Sequence, residues 1–167
     1  MKKIISNTHH ISFESFIISF KDLIKKFESY IKTSRLTSKD KKSKNRPIFI
    51  FIDKLKRDYK QKSNYWLYKL FKELCINFEI ITISSFTDDK IKTNDFVLFL
   101  DDCIYSGQQM SESIFNLKVE NDKKFTFFIL CSFMTRKGTE RIIEAVLKNK
   151  LFVEIIVGFS ENRCQAK

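Results

Sequence analysis

Asp101 and Asp102 stand side by side behind an apolar run, FVLFL, and Ser106-Gly107 follow four residues after the second of them. Two adjacent carboxylates repel each other and resist desolvation, so they need hydroxyl donors, a cation or a metal. The chain has three glycines in 167 residues. One placed just behind a buried strand marks a tight turn or a close backbone approach. Gln108 and Gln109 then open a segment able to form a helix. Backbone amides of residues 105–109 would point at one anion, aided by that helix dipole, and the Ser106 hydroxyl would add a donor. A phosphate cradle thus lies beside an acidic pair suited to a diol, and a sugar phosphate fits both halves.

The stretch LFLDDCIYSGQQM resembles the phosphoribosyl-pyrophosphate (PRPP) motif of type I phosphoribosyltransferases. That motif is an apolar strand, two acidic residues, two mostly apolar residues, a variable position, Thr or Ser, then Gly. Here Asp101 and Asp102 are the acidic pair, Cys103 and Ile104 the apolar pair, Tyr105 the variable position, Ser106 the hydroxyl and Gly107 the glycine. The resemblance implies that Asp101 and Asp102 hold the ribose 2- and 3-hydroxyls. It implies that Tyr105, Ser106, Gly107, Gln108 and Gln109 wrap the 5-phosphate. The variable position assists proton transfer in some members, so the catalytic set it implies is Asp101, Asp102 and Tyr105. Mg²⁺ would come held mainly by PRPP, with no direct protein metal site.

The sequence departs from the family pattern at three places. Tyr105 occupies a position that is often Asp. The segment 84–95, where catalytic members carry a flexible loop that closes over the site, is short. A site open to water tends to hydrolyse PRPP. The loop after the first strand, DKLKRDYKQK, has no glycine. Its Lys54, Lys56 and Arg57 would neutralise pyrophosphate. Near the chain end, VGFSENR (157–163) faintly resembles the segment after the last core strand in hypoxanthine-type members, which makes Phe159 a candidate base contact, although packing is the favoured role for one of eighteen Phe. Thr135, Arg136 and Lys137 lie in a loop that would reach a base oxygen or a phosphate, although basic residues in such loops are more often solvated.

Alternating elements must position these residues. Residues 11–31 carry apolar groups at helical spacing, with Ser12 or Asn7 as the expected cap. Residues 33–46, TSRLTSKDKKSKNR, read as a basic linker. After Pro47, apolar strands at 48–52, 78–83, 96–100, 125–133 and 151–157 alternate with helices at 63–75, 108–118 and 138–148. Strand and helix in alternation specify an α/β fold: a doubly wound, mainly parallel five-stranded sheet with helices on both faces, preceded by an N-terminal amphipathic helix. The chain divides into that helix and linker, 1–45, and a phosphoribosyltransferase-like core, 46–167. Gly107, Gly138 and Gly158 each follow a strand, near the carboxyl edge where open α/β folds bind ligands.

Composition sets the outer limits. The net charge of +11 attracts phosphates, nucleotides or nucleic acid. No zinc-finger, RNA-recognition or K-homology pattern accompanies it, so nucleic acid as a partner has charge alone behind it. The four cysteines form no C-x-x-C pair and lie far from His9 and His10, against a zinc site or a disulfide framework. No apolar run approaches bilayer length, and a cytoplasmic protein with reduced thiols is the expectation. A phosphoribosyl compound is the expected ligand. Transfer of phosphoribose to a nitrogenous base, with loss of pyrophosphate, is one reading; a regulatory domain that keeps the pocket without the chemistry is the other. The sequence does not choose between monomer and homodimer.

Overall fold

The computed structural model describes residues 12–37, 46–52, 60, 63–84, 91–92, 94–115, 125–149 and 151–160. In chain order they form α1 (Phe13–Thr37), β1 (Ile48–Phe51), α2 (Ser63–Leu74), β2 (Ile80–Ile83), β3 (Phe96–Ile104), α3 (Gln108–Phe115), β4 (Thr126–Met134), α4 (Arg136–Lys148) and β5 (Phe152–Ser160). The strands make one sheet of order β2-β1-β3-β4-β5, parallel at every pairing. Apolar runs such as IFIF and FVLFL suit strands covered on both faces. Phe49, Val97, Phe99, Phe127 and Ile129 bury against Met110 and Ile114 of α3 and Ile142 and Ala145 of α4. On the other face, Ile48, Ile50, Leu98, Leu100, Phe128 and Leu130 bury against α1 and α2. Helices therefore cover both faces, and the α/β reading holds with an all-parallel sheet.

α1 packs into this core. Phe20, Leu23, Ile24, Phe27 and Ile31 are buried along one stripe, and the Ser12 hydroxyl caps its start by accepting from the Ser15 amide (3.1 Å). Asn7 lies outside the described residues. The helix runs to Thr37 and takes in residues read from sequence as linker. Tertiary contacts account for the extension. Arg35 is buried in the last turn, its guanidinium donates to the Arg46 carbonyl, and it stacks over Phe78 at 4.9 Å and Phe96 at 5.8 Å. Arg46 in turn pairs with the buried Asp95 (2.7 Å). Burial outweighs these cations and holds the Asp95 carboxyl above its ordinary range.

The strand order reverses between β1 and β3. The β1–α2–β2 unit builds the sheet one way and β3–α3–β4–α4–β5 builds it the other. In such sheets the crevice for ligands opens outside the carboxyl ends of the two strands at that reversal. Asp101 and Asp102 lie near the carboxyl end of β3.

Candidate functional site

β3 does not end at the acidic pair. It continues through Asp101, Asp102 and Cys103 to Ile104, pairing Asp101 with Cys131, Cys103 with Phe133 and Ile104 with Met134 of β4. A sequence reader ends the strand where polarity begins, but its parallel neighbour carries it four residues further. Asp102 and Ser132 fall between these pairs and are themselves unpaired in the register. Ile104 and Met134 return to the helix α3/α4 face, the face of Phe99 and Cys131. Three positions separate Cys131 from Met134, so strict alternation has slipped by one at this level.

Asp101 and Asp102 share a side-chain hydrogen bond, and Asp102 Oδ1 also accepts from the Cys103 amide (3.0 Å). Burial pushes the Asp101 carboxyl up to about 7, with the Asp102 hydrogen bond and charge adding to the shift against the pull of the Asp102 and Cys103 amides. The same burial, reinforced by the Asp101 charge, raises the Cys131 thiol, whose sulfur donates to the Phe133 carbonyl (2.7 Å). Burial also raises Cys103. Tyr105 is raised chiefly by its hydrogen bond with the Cys103 side chain, so at neutral pH it is a phenol able to donate.

The shift at Asp101 has a consequence for stability. An unfolded aspartate titrates near about 3.9, so between that pH and about 7 the folded chain holds a proton the unfolded chain has lost. This contribution is full below the lower value and is lost as pH rises through the upper one. Asp101→Asn keeps a neutral side chain at every pH. We expect the urea midpoint of the parent to fall between pH 5 and pH 8, and that of the variant to fall less and lie higher at pH 8. Equal slopes would show that Asp101 is ionised throughout.

A cleft of about 260 Å³ opens at this end of β3, lined by Asp101, Asp102, the loop 103–107, the first residues of α3 and Ser63. Ser63 begins α2, the helix that follows β1, so the cleft bridges the two sides of the strand-order reversal. Tyr105 is 65 % exposed and its ring leans on Phe133 at 5.8 Å. Ser106 Oγ accepts from the Gln108 amide (3.3 Å), which leaves its own proton for another acceptor. Gly107 has a φ of +68°, a left-handed conformation that side chains with a Cβ avoid. Its carbonyl accepts the first backbone bond of α3 from Ser111 (2.8 Å).

The loop rests on the first turn of α4. A Cβ at Gly107 would lie 2.7 Å from the Gly138 carbonyl oxygen, and one at Gly138 would lie 2.7 Å from the Ile104 carbonyl oxygen. Gly107 therefore abuts Gly138, and Gly138 in turn abuts the backbone of Ile104 and Tyr105. Thr135 caps α4, accepting from the Gly138 amide (3.0 Å), and its hydroxyl donates to the Tyr105 carbonyl. The apolar spacing alone starts this helix at Gly138 and leaves Thr135 in a loop able to reach a ligand. Its position directly between an apolar strand and a helical segment is the signal of a cap. Arg136 is paired with Glu140 (2.8 Å).

The structure thus brings Asp101, Asp102, Tyr105, Ser106, Gly107, Gln108 and Gln109 to one cleft. Lys54, Lys56 and Arg57, read as pyrophosphate contacts, lie outside the described residues. Phe159 pairs in register with Phe133, and its side chain lies outside the described residues. Of the three glycines, only Gly107 follows its strand. Gly138 sits within the first turn of α4. Gly158 lies within β5, where a Cβ would lie 2.7 Å from Ser19 Oγ of α1. The glycines mark tight packing between elements, which β5 and α4 hid from sequence by extending further than their apolar runs. Among the described residues, Cys75, Cys103 and Cys131 are free, and no helix is long and apolar enough to cross a membrane.

A scan against protein families matches the family model described as PRTase-CE, a phosphoribosyltransferase-related family, over residues 1–165. No curated protein is matched by the chain.

Proposed function

The chain belongs to the PRTase-CE family, and from that premise we propose that it binds PRPP or another ribose 5-phosphate compound in the cleft between Asp101 and Gln109. The observation that carries this reading is the meeting of two unlike half-sites in one cleft. Two carboxylates, hydrogen-bonded to each other, line it beside a tight loop that opens α3. Asp101 and Asp102 would accept from the ribose 2- and 3-hydroxyls. The loop amides and the Ser106 hydroxyl would hold the 5-phosphate at the positive end of α3.

Transfer to a base would break the bond from ribose C1 to the pyrophosphate oxygen and form a bond from C1 to a base nitrogen. Pyrophosphate leaves with the electron pair, and the base nitrogen loses its proton. The work of such a site is positioning and stabilising charge on the departing pyrophosphate, which Lys54, Lys56 and Arg57 would supply. Tyr105, as a phenol, would donate a hydrogen bond to the acceptor or to the departing oxygens. Among the described residues no group of three or more His, Cys, Asp and Glu side chains could hold a metal. The family resemblance implies an ion that arrives on the ligand. Mg²⁺ bound to PRPP would neutralise its pyrophosphate.

Calorimetric titration with PRPP and Mg²⁺ tests the reading, with Asp102→Asn as the paired variant. Loss of one charged acceptor of hydroxyl bonds is expected to weaken binding roughly 10- to 100-fold. A parent that binds nothing sinks the proposal, and salt-dependent nucleic-acid binding indifferent to Asp102 would then be the reading to pursue. If the parent binds, a screen of bases for pyrophosphate release separates a transferase from a binding domain.

A further inference from the structure

Thr135 lines no part of the cleft, yet it touches the backbone that does. Its amide donates to the Ile104 carbonyl (3.1 Å), and its hydroxyl donates to the Tyr105 carbonyl. The same hydroxyl accepts from the Gly138 amide (3.0 Å). The two halves of this hydroxyl serve different ends. A helix cap needs only the oxygen as acceptor, so the proton is free for a second task, and it goes to the loop.

Planar trans peptides give that contact a direction. The carbonyl of one residue and the N–H of the next point to opposite sides of the same rigid unit. Thr135 draws two successive carbonyls, those of Ile104 and Tyr105, toward the start of α4. The N–H groups of Tyr105 and Ser106 must then face the other way, and both residues line the cleft. Two successive amides turned to one side make a concavity for an anion. Close approach holds the loop near enough for Thr135 to reach it: a Cβ on Gly107 would meet the Gly138 carbonyl oxygen, and one on Gly138 would meet the Ile104 and Tyr105 carbonyl oxygens.

We propose that Thr135 is a positioning residue: it fixes the 105–106 backbone so that these amides meet the phosphate of a bound phosphoribosyl compound. The inference rests on the reading given above and adds to it a residue from the neighbouring strand–helix junction. Thr135 itself does not touch the ligand.

Thr135→Asp separates the two roles. A carboxylate caps a helix as well as threonine does but has no proton for the Tyr105 carbonyl. Thr135→Ser retains both. The parent is titrated first with PRPP and Mg²⁺, and again at about 0.5 M salt, where the screening length of roughly 4 Å removes most of the effect of an added charge. The Asp variant should melt close to the parent, show moved amide resonances for Tyr105 and Ser106 in ligand-free ¹H–¹⁵N spectra, and bind roughly tenfold more weakly. The Ser variant should match the parent on all three. Unmoved amide resonances, or parent-like affinity in the Asp variant, would overturn the role of Thr135 while leaving the phosphoribosyl reading in place. No binding by the parent overturns both. If the Asp variant does not fold, Thr135→Ala takes its place, and parent-like affinity in that variant has the same overturning force.

Discussion

Gly107→Val is expected to destabilise the fold by about 2–6 kcal/mol, through backbone strain and overpacking of comparable size. The φ of +68° is unfavourable for any Cβ-bearing residue and worst for a β-branched one. The added side chain would also meet the Gly138 carbonyl oxygen at 2.7 Å and Arg141 Cβ at 3.2 Å. Neither neighbour yields easily. The carbonyl belongs to the first turn of α4, and Arg141 Cβ is fixed to the same helix. For a chain of this size, each kcal/mol lowers Tm by roughly 2–4 °C, so a fall of about 4–24 °C is expected. Thermal denaturation followed by circular dichroism measures it. A Tm within 2 °C of the parent, roughly 1 kcal/mol or less, would mean that the loop does not rest on α4, and the geometry proposed for the phosphate cradle would go with it.

Phe27→Ala should destabilise the chain by about 3–5 kcal/mol, the range for a fully buried Phe whose cavity does not collapse. Phe27 is wholly buried. It meets Phe71 of α2 edge-on at 5.8 Å and Phe128 of β4 at 5.1 Å. The hole left behind would be walled by two elements that cannot close it independently. A single unfolding transition at lower Tm is the expected result. If α1 were a unit carried on a linker, its loss of packing would leave the main transition where it is. Two resolved transitions would show a separate N-terminal unit.

Both predictions turn on contacts between elements, and these were the features least visible in the sequence. The strands themselves were plain. IFIFI, FEIITI and FTFFILCSF are apolar runs of strand length, and between them lie segments at helical spacing. The boundaries were less plain wherever a polar residue stood inside an element. β3 continues past Asp101 because Cys131, Phe133 and Met134 pair with it. α1 continues past Ile31 because Arg35 finds the Arg46 carbonyl and two aromatic faces. A local pattern cannot foresee a partner supplied by a distant segment.

What the sequence determined by itself is the alternation of elements and the acidic pair with its Ser-Gly loop. Both are local: periodicity sets secondary structure, and the DDCIYSG stretch carries its chemistry in consecutive residues. Only the tertiary structure decided how that stretch is held. It brought Asp101 into the sheet, where burial lifts its carboxyl. It set Gly107 against Gly138, and it gave the Thr135 hydroxyl to the Tyr105 carbonyl across a gap of 30 residues. The reason is physical. Desolvation and close packing depend on what lies next to a residue in space, and in a parallel sheet those neighbours come from distant strands and the helices that follow them.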